Sequence, residues 1–238
     1  MNIANKTVFI TGANRGIGHA LVAEALRRGA KKIYAGTRGG LENAGERVTA
    51  VTLDVTNDPQ IQRAANDLDA LDVLINNAGI ARYENLSDPD AIEQHLAVNL
   101  FGTFKVTRAL LPLLKRSKGA IFNNLSLLAL APLPLTPAYC ISKAAALSMT
   151  QSLRAILAGQ GVTVHGVLLG PVDTDMTRGF EVPKASPDSV ARGIFDGLEK
   201  NEENIFPDPM SQSIAEAWRT GIAKAFERQY ASFVPEER

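Results

Sequence analysis

The sequence predicts an α/β fold in which a doubly wound parallel sheet is covered by helices on both faces. Short apolar, β-rich segments alternate with segments of helical periodicity along the whole chain. That alternation is typical of βαβ units and of a parallel sheet that is buried on both faces. The chain has 238 residues, of which 45% are hydrophobic and 21% are charged, and this suits a single domain with a large core. We therefore expect one domain over residues 1–238.

The individual elements follow from local periodicity and from helix-start signals. Asp–Pro pairs at 58–59 and 88–89 and Pro137 mark helix starts, and Gly29 marks the end of the first helix. The tail is predicted as one amphipathic helix over 211–234. The other predicted helices are 19–28, one from 58, 88–114, 137–157 and one after 187, and the predicted strands are 7–10, 32–35, 48–53, 73–75, 120–122, 162–168 and 205–206.

Composition excludes several classes of function. Lys plus Arg equals Asp plus Glu, 25 each, so net charge indicates neither a nucleic-acid nor a membrane partner. The lone Cys140 cannot form an internal disulfide. The N-terminus lacks a signal-peptide pattern, and no apolar run approaches the roughly 20 residues that cross a bilayer. The three histidines do not have the spacing of metal ligands, so we expect no metal site. From the absence of a signal-peptide pattern and of a membrane-spanning run, we expect a cytoplasmic protein.

A glycine-rich turn joins the first predicted strand to the first predicted helix. It reads Thr11-Gly12-Ala13-Asn14-Arg15-Gly16-Ile17-Gly18. A tight turn needs glycine for conformational reasons alone. Because this turn follows a strand and opens a helix, it favours a dinucleotide site, in which the backbone approaches a pyrophosphate at the helix N-terminus.

The end of the second predicted strand indicates which dinucleotide is bound. An NAD site usually carries an acidic residue there, which holds the ribose 2′-hydroxyl. This strand ends instead in Thr37-Arg38. Arg38 or Arg15 alone is typical of a solvated side chain, but together at one adenosine site they suit a 2′-phosphate. The sequence therefore predicts NADP(H) as the cofactor.

Four polar residues form a candidate catalytic set. Tyr139 and Lys143 are four residues apart and share one helix face. A lysine ammonium beside a phenol favours the phenolate, so we expect Lys143 to lower the pKa of Tyr139 and to make it a usable acid or base. Ser126 follows the fifth predicted strand and can donate a hydrogen bond to a substrate oxygen. Asn99 lies inside a predicted helix, where a buried amide needs partners.

With these motifs in order, the sequence resembles the small single-domain branch of the short-chain dehydrogenase/reductase family over nearly its whole length. The resemblance is carried by the glycine turn, Asp54-Val55, Asn76-Asn77-Ala78-Gly79, Asn99, Ser126, Tyr139-x-x-x-Lys143 and Gly170-Pro171-Val172-Asp173-Thr174. It implies a Rossmann-type sheet, with a cofactor half over about 1–125 and a catalytic and substrate half over about 126–238. It also implies an oxidoreductase with carbonyl reductase-like activity.

The resemblance also implies a role for each motif. Tyr139 is the general acid in reduction and the base in oxidation, Lys143 tunes its pKa and binds the nicotinamide ribose, and Ser126 holds the substrate oxygen. Asn99 holds a water that links Lys143 to solvent. The implied cofactor-binding residues are Gly12, Asn14, Arg15, Gly16, Ile17, Gly18, Thr37, Arg38, Asp54, Val55, Asn76, Ala78, Gly79, Tyr139, Lys143, Gly170, Val172 and Thr174.

The substrate side departs from the family pattern in two places. Leu169 stands where the family often has proline, and Leu125 and Leu127 flank Ser126 where it often has a second serine. The uncharged segment 127–135 links Ser126 to the predicted catalytic helix, and Met176, Phe180 and Val182 lie where a lid is expected. We therefore expect a small or medium apolar aldehyde or ketone, or the matching alcohol, as the substrate.

Other functions remain open at this stage. An NAD-linked alcohol dehydrogenase is the main alternative, and a catalytically silent nucleotide-binding regulator is disfavoured by the complete catalytic set. A sugar-nucleotide epimerase is disfavoured because such relatives carry a larger C-terminal substrate domain. The long predicted helices 88–114 and 137–157 carry apolar residues on more than one face. By analogy with relatives, we expect a homodimer or a homotetramer.

Overall fold

Seven parallel strands form one sheet in the computed structural model, which describes residues 1–41 and 45–233. The strands are β1 (Thr7–Thr11), β2 (Lys32–Thr37), β3 (Val48–Thr52), β4 (Val73–Asn76), β5 (Ala120–Asn124), β6 (Thr163–Val167) and β7 (Asn204–Ile205). Their order across the sheet is β3-β2-β1-β4-β5-β6-β7, and every neighbouring pair is parallel. The predicted doubly wound parallel sheet is therefore confirmed, and its strand order reverses between β1 and β4, where such folds bind ligands.

Helices cover both faces of this sheet. The α-helices are α1 (Gly16–Arg27), α2 (Asp58–Asn66), α3 (Asp90–Leu96), α4 (Thr103–Ser117), α5 (Pro137–Ala158), α6 (Pro187–Glu199), α7 (Pro209–Thr220) and α8 (Ile222–Tyr230). Buried side chains of α1 and α6 form one core with the sheet, and those of α2, α4 and α5 form another on the opposite face. Among the described residues, no helix is both long enough and apolar enough to span a membrane.

The central strands are apolar on both faces, which explains their continuous hydrophobic runs. In β1, Val8 and Ile10 belong to the core under α1 and α6, and Phe9 belongs to the opposite core. In β4, Ile75 belongs to the core under α1 and α6, and Leu74 belongs to the opposite core. Because successive side chains of a strand point to opposite faces, a strand between two helical layers has no polar face to show.

The predicted helix over 88–114 is interrupted. The chain instead forms α3, a π-helical turn over Ala97–Gly102 and then α4. The wider turn contains Asn99, whose buried amide bonds to the backbone of Ile80 and to Ser142. Such π-turns in α-helices often occur at functional sites. Helical structure nevertheless runs without a gap over 90–117, so the predicted helix is confirmed and only its π-turn was not predicted, because a regular helical pattern does not reveal where a buried polar residue demands an extra residue in the turn.

The predicted single tail helix is also interrupted. Gly221 is extended, with φ −72° and ψ 159°, and it separates α7 from α8. Glycine is a poor helix former, and it weakens the helix at this point by about 1 kcal/mol. The predicted apolar face therefore divides: Ile214 and Trp218 of α7 pack against the core, whereas Ile222 at the start of α8 is 74% exposed. Val234, the predicted end of the tail helix, lies outside the described residues.

A cluster of buried charges fastens α8 to the edge of the sheet. The ammonium of Lys224, which is 2% exposed, lies 2.7 Å from a Glu203 oxygen and 2.9 Å from a Glu227 oxygen, and it donates to the side-chain oxygen of Asn204 in β7. Glu227 also pairs with Arg154 of α5. Removing one member of such a cluster leaves the remaining buried charges uncompensated.

Candidate active site

A cavity of about 640 Å³ opens at the carboxyl ends of the central strands. Its position is the crevice that doubly wound sheets offer at the reversal of strand order, and its volume is typical of ligand sites. The structure brings together most of the predicted site residues around it. Those that line the cavity are Gly12, Asn14, Arg15, Gly16, Ile17, Gly18, Thr37, Arg38, Asp54, Val55, Ala78, Gly79, Tyr139, Lys143 and Thr174.

The glycine turn is built so that only glycine fits. Gly12 and Gly16 have φ values of +65° and +52°, in the left-handed region that other residues rarely adopt. A Cβ atom on Gly18 would lie 2.0 Å from the carbonyl oxygen of Gly12. The backbone is consequently open to the cavity at the N-terminus of α1, where N–H groups and the helix dipole can bind a phosphate.

A chain of hydrogen bonds runs from this turn to Lys143. The amide nitrogen of Asn77 donates to the carbonyl oxygens of Thr11 at 3.0 Å and Gly12 at 3.1 Å. Asn124, at the end of β5, donates through its side-chain nitrogen to the amide oxygen of Asn77 at 2.9 Å. The Lys143 ammonium donates to the carbonyl oxygen of Asn124 at 2.7 Å. Hydrogen bonds of Asn77, Asn124 and Lys143 thus connect the glycine turn to α5.

Two arginines line the part of the cavity next to β1 and β2. Arg15 in the glycine turn makes an ion pair of 3.4 Å with Asp175, and both side chains are more than half exposed. Arg38 follows the end of β2. Hydrogen bonds from the Thr56 hydroxyl and N–H hold the pKa of Asp54 below its usual value, and the charge of Arg38 lowers it further. Since the Arg15 pair is exposed, a phosphate can compete for that guanidinium at little cost.

Tyr139 and Lys143 lie on the first two turns of α5, which begins at Pro137. The Lys143 ammonium is 5.6 Å from the centre of the Tyr139 ring. Burial lowers the pKa of Lys143 to about 8. Burial also raises the pKa of Tyr139 to about 12, against an opposing effect of the Ser126 hydroxyl. In this arrangement the pKa of Tyr139 is raised rather than lowered, because burial of the phenol outweighs the other influences on it. Tyr139 is a protonated acid at neutral pH.

Ser126 and Asn99, the other two members of the predicted catalytic set, are buried and are not among the residues that line the cavity. Ser126 is 6% exposed, and its hydroxyl oxygen accepts the N–H of Leu128 at 3.1 Å while it remains near enough to Tyr139 to affect its pKa. The Asn99 amide donates to Ser142 at 2.9 Å and exchanges hydrogen bonds with the backbone of Ile80. Because Ser142 immediately precedes Lys143 in α5, Asn99 holds this helix against the loop after β4.

Three of the predicted cofactor-binding residues lie outside the cavity lining. Asn76 is buried, and its amide donates to the side chains of Thr107 and Asn123 at 2.9 Å each. The N–H of Gly170 donates to the carboxylate of Asp208 at 2.9 Å. Val172 is 2% exposed and packs in the core under α1 and α6. The side chains of Asn76 and Val172 therefore serve the fold.

Several cavity residues were not predicted. Asn77 belongs to the Asn76-Asn77-Ala78-Gly79 motif, and its position at the carboxyl end of β4 was the available signal. Leu125, Leu169 and Met176 were expected on the substrate side, and most of the others, such as Gly39 and Leu53, are chain neighbours of predicted residues. These additional lining residues are Gly39, Leu53, Ile80, Ala81, Arg82, Val98, Asn124, Leu125, Leu169, Asp175 and Met176.

Known proteins share both the sequence and the architecture of this chain. The sequence profile of a family described as short chain dehydrogenase matches residues 6–184. The chain is 34% identical over 208 residues to 2-(S)-hydroxypropyl-CoM dehydrogenase 3 of Xanthobacter autotrophicus, which covers 81% of this chain and 82% of that protein. It is 31% identical over 224 residues to human short-chain dehydrogenase/reductase 3, covering 84% of this chain and 74% of that protein.

A solved structure agrees with these relatives. The crystal structure of a short chain dehydrogenase from Burkholderia cenocepacia in complex with NADP superimposes with a TM-score of 0.88 at 38% identity, and it covers 99% of this chain and 100% of that one. The profile match extends over about three quarters of the chain, and the fold extends over nearly all of it. This chain therefore belongs to the short-chain dehydrogenase/reductase family of oxidoreductases.

Proposed function

We propose that this chain is an NADP(H)-dependent oxidoreductase that reduces an aldehyde or ketone, or oxidises the matching alcohol. One observation carries the proposal: a single cavity is lined by Arg15 and Arg38 on the β2 side and by Tyr139 and Lys143 on the β5 side. The first pair suits a 2′-phosphate, and the second pair suits proton transfer to a carbonyl oxygen. When bound, the nicotinamide supplies the hydride.

The residues of the cavity fit this cofactor. The close approach of Gly18 to Gly12 leaves bare backbone at the N-terminus of α1, where a pyrophosphate binds. β2 ends without a carboxylate that would repel a 2′-phosphate, and Thr37 is followed by Arg38. That the Burkholderia cenocepacia relative was crystallised with NADP supports the same choice. Val172 and Thr174 would hold the carboxamide end of the cofactor, and Val172 would do so through its backbone because its side chain is buried in the core.

The reaction uses the protons of the chain's own residues. In reduction, the Tyr139 hydroxyl, which is protonated at neutral pH, donates its proton to the substrate oxygen. The Ser126 hydroxyl donates a hydrogen bond to the same oxygen as charge develops there. The Lys143 ammonium, 5.6 Å from the Tyr139 ring, stabilises the phenolate that remains. Asn99 holds the water through which the lost proton is replaced.

The substrate we propose is a small or medium apolar carbonyl compound. Leu125 and Leu169 line the cavity close to Ser126 and the catalytic helix. Met176, which also lines it, is 47% exposed, and Leu135 just before α5 is 55% exposed. Apolar side chains left uncovered at a cavity mouth are typical of a site for an apolar ligand.

We further propose that the protein works as a homodimer or homotetramer. Phe101 and Phe104, beside and at the start of α4, are 52% and 42% exposed, and Ile141 and Ile156 of α5 are 41% and 47% exposed. Large apolar side chains on neighbouring long helices support a contact with another copy of the chain. Sedimentation velocity tests this proposal, and a monomer at micromolar concentration contradicts it.

Cofactor titration is the experiment that tests the proposed function first. NADPH and NADH are titrated by fluorescence into the wild type and Arg38→Ala. We expect NADPH to bind more tightly to the wild type, and Arg38→Ala to lose about 1.5–3 kcal/mol of NADPH affinity, because an arginine–phosphate contact is charge-assisted. Arg116→Ala, an exposed arginine at the end of α4, is the matched control.

Two other results of this titration would each replace the proposed function with a different one. If NADH binds as well as NADPH, the chain is an NAD-linked alcohol dehydrogenase, and the proposed roles of Tyr139 and Lys143 are unaffected. If NADPH binds tightly but is not oxidised with any member of an aldehyde and ketone panel, the chain is a nucleotide-binding regulator.

A further inference from the structure

Two aromatic rings from distant loops stack against each other beside the cavity. Tyr83 follows β4 and Phe180 follows β6, and their ring centres are 5.3 Å apart with an angle of 19° between the planes. Tyr83 comes directly after residues 80–82, all of which line the cavity. Phe180 comes shortly after Met176, which lines it as well. Neither ring is itself among the residues that line the cavity, so the stacked pair lies just beyond the lining and joins two loops that each contribute residues to it.

Glu84 fixes this pair at the catalytic end of the cavity. Its carboxylate accepts the N–H of Ala138 at 2.7 Å, and its own N–H donates to the carbonyl oxygen of Leu135 at 3.3 Å. Ala138 immediately precedes Tyr139. Thr136, the residue at the N-cap of α5, makes no side-chain capping bond, so Glu84 supplies the acceptor for the first turn from 54 residues away. Tyr83, as the neighbour of Glu84, is thereby held close to the start of the catalytic helix.

Exposed apolar side chains lie close to the two rings along the chain, and the two charged residues that flank Tyr83 are engaged in hydrogen bonds. Leu135, Met176 and Val182 are 55%, 47% and 39% exposed. The guanidinium of Arg82 donates to Gln94 at 2.6 Å, and the Glu84 carboxylate accepts a second N–H, from Leu86. A ligand group at this place meets aromatic faces and aliphatic side chains, which favour a flat apolar group over a charged one.

We propose that Tyr83 and Phe180 are specificity-determining residues, and that their rings form an aromatic wall against which a flat apolar group of the substrate packs. This inference rests on the proposed function, because it assigns the substrate class of the same site. Neither ring takes part in proton transfer. The aromatic wall selects among carbonyl compounds by the shape of the group attached to the carbonyl carbon.

Ring removal tests the aromatic wall. The dissociation constant of 2-naphthylmethanol is measured through its own fluorescence, with and without NADP⁺. We expect Tyr83→Ala and Phe180→Ala each to weaken binding about five- to tenfold, which is the size of one aromatic contact. The double variant should lose little more, because the two rings act as a unit. Tyr83→Phe keeps the ring and should bind naphthylmethanol like the wild type. In the variants that lose naphthylmethanol affinity, kcat/KM for 2-naphthaldehyde should fall relative to kcat/KM for propanal.

The chain offers a matched control pair. Phe226 and Tyr230 of α8 have ring centres 5.7 Å apart, and Tyr230 is 61% exposed against 58% for Tyr83. Phe226→Ala and Tyr230→Ala should leave naphthylmethanol binding unchanged. The aromatic wall is overturned if the wild type does not bind naphthylmethanol, if Tyr83→Ala binds it within twofold of the wild type, or if the control variants lose as much.

The two proposals fail separately in this experiment. If naphthylmethanol binding depends on the rings but 2-naphthaldehyde does not oxidise NADPH, the aromatic wall stands and the proposed reductase activity is wrong. If 2-naphthaldehyde oxidises NADPH but naphthylmethanol binding does not depend on the rings, the reductase activity stands and the aromatic wall is wrong. Tyr83 is more than half exposed, so Tyr83→Ala removes little core packing, and its thermal unfolding is expected to match that of the wild type.

Discussion

The two halves of the molecule hold their parts of the site by different means. In the first half, over about residues 1–125, the cavity wall is made by backbone: left-handed glycines and a Gly18 that has no room for a Cβ atom. In the second half, the cavity wall includes the buried side chain of Lys143, and the Glu227 carboxylate pairs with Arg154 at the edge of the sheet. The glycine turn of the first half is therefore sensitive to added atoms, and these parts of the second half are sensitive to the removal of charged side chains.

Asn77 and Asn124, which we call the asparagine bridge, connect the backbone wall of the first half to the side chains of the second half. Asn77 bonds to the backbone of the glycine turn and receives a hydrogen bond from Asn124, whose carbonyl oxygen holds Lys143. An amide can do this because it offers donors on one side and an acceptor on the other. The backbone half and the side-chain half can therefore be disturbed separately on either side of this bridge.

The largest effect is expected from removing the proton donor of the second half. Tyr139→Phe should lower kcat about 10²- to 10⁴-fold, the usual contribution of a positioned general acid, and should leave the NADPH dissociation constant within twofold of the wild type. Steady-state kinetics with NADPH and an aldehyde measure this, with the exposed Tyr230→Phe as control. A kcat within tenfold of the wild type would remove Tyr139 from the proposed mechanism.

Stability of the second half should depend strongly on one carboxylate. Glu227→Ala leaves Arg154 and Lys224 buried without that partner, and such truncation costs about 3–5 kcal/mol. Chemical denaturation measures the loss in the free energy of unfolding. Glu216→Ala, an exposed carboxylate on α7, should change it by less than about 0.5 kcal/mol. Equal losses in both variants would mean that the cluster does not fasten α8.

Adding one methyl group should disturb the first half. In Gly18→Ala the new Cβ would lie 2.0 Å from the Gly12 oxygen, and overpacking of this kind costs about 1–3 kcal/mol. We expect at least a fivefold loss of NADPH affinity in a fluorescence titration. Gly159→Ala is the control, because its Cβ would have no atom within 4 Å. Unchanged affinity in Gly18→Ala would contradict a cofactor site built on this turn.

The smallest effect concerns pH and connects catalysis to the charge on Lys143. The pKa of Lys143 is lowered to about 8, so the ammonium is present below that pH and is lost above it. The kcat/KM for carbonyl reduction should be level below about pH 8 and fall above it, by up to about tenfold per pH unit. Lys143→Met should be slow at every pH and lack this alkaline fall. A fall that persists in Lys143→Met would assign it to another group.

Much of the fold was readable because its signals are local. The strands 73–75 and 120–122 have no polar face, the pair Tyr139 and Lys143 follows helical spacing, and the glycines of the turn are contiguous in sequence. The interruptions at Ala97–Gly102 and Gly221 were not predicted. A π-turn depends on the partners of a buried amide, and the break at Gly221 depends on what α8 meets when it folds back onto the sheet.

The unpredicted parts of the site share a physical origin. Phe180 meets Tyr83 across 97 residues, and Glu84 reaches the start of α5 across 54. No periodicity records such contacts, since they join loops that only the finished sheet brings together. The pKa of Tyr139 belongs to the same group, because a sequence shows its charged neighbour Lys143 but not the burial that outweighs it.

The short last strand limits how this protein can associate. β7 has two residues, Asn204 and Ile205, and it forms one edge of the sheet. A foreign strand arriving there would find little backbone to pair with and would also have to displace Lys224, which bonds to the Asn204 side chain. Open sheet edges are common starting points for aggregation, and short strands with a lysine beside them are a known protection. The charges that fasten α8 therefore also close this edge to strand addition.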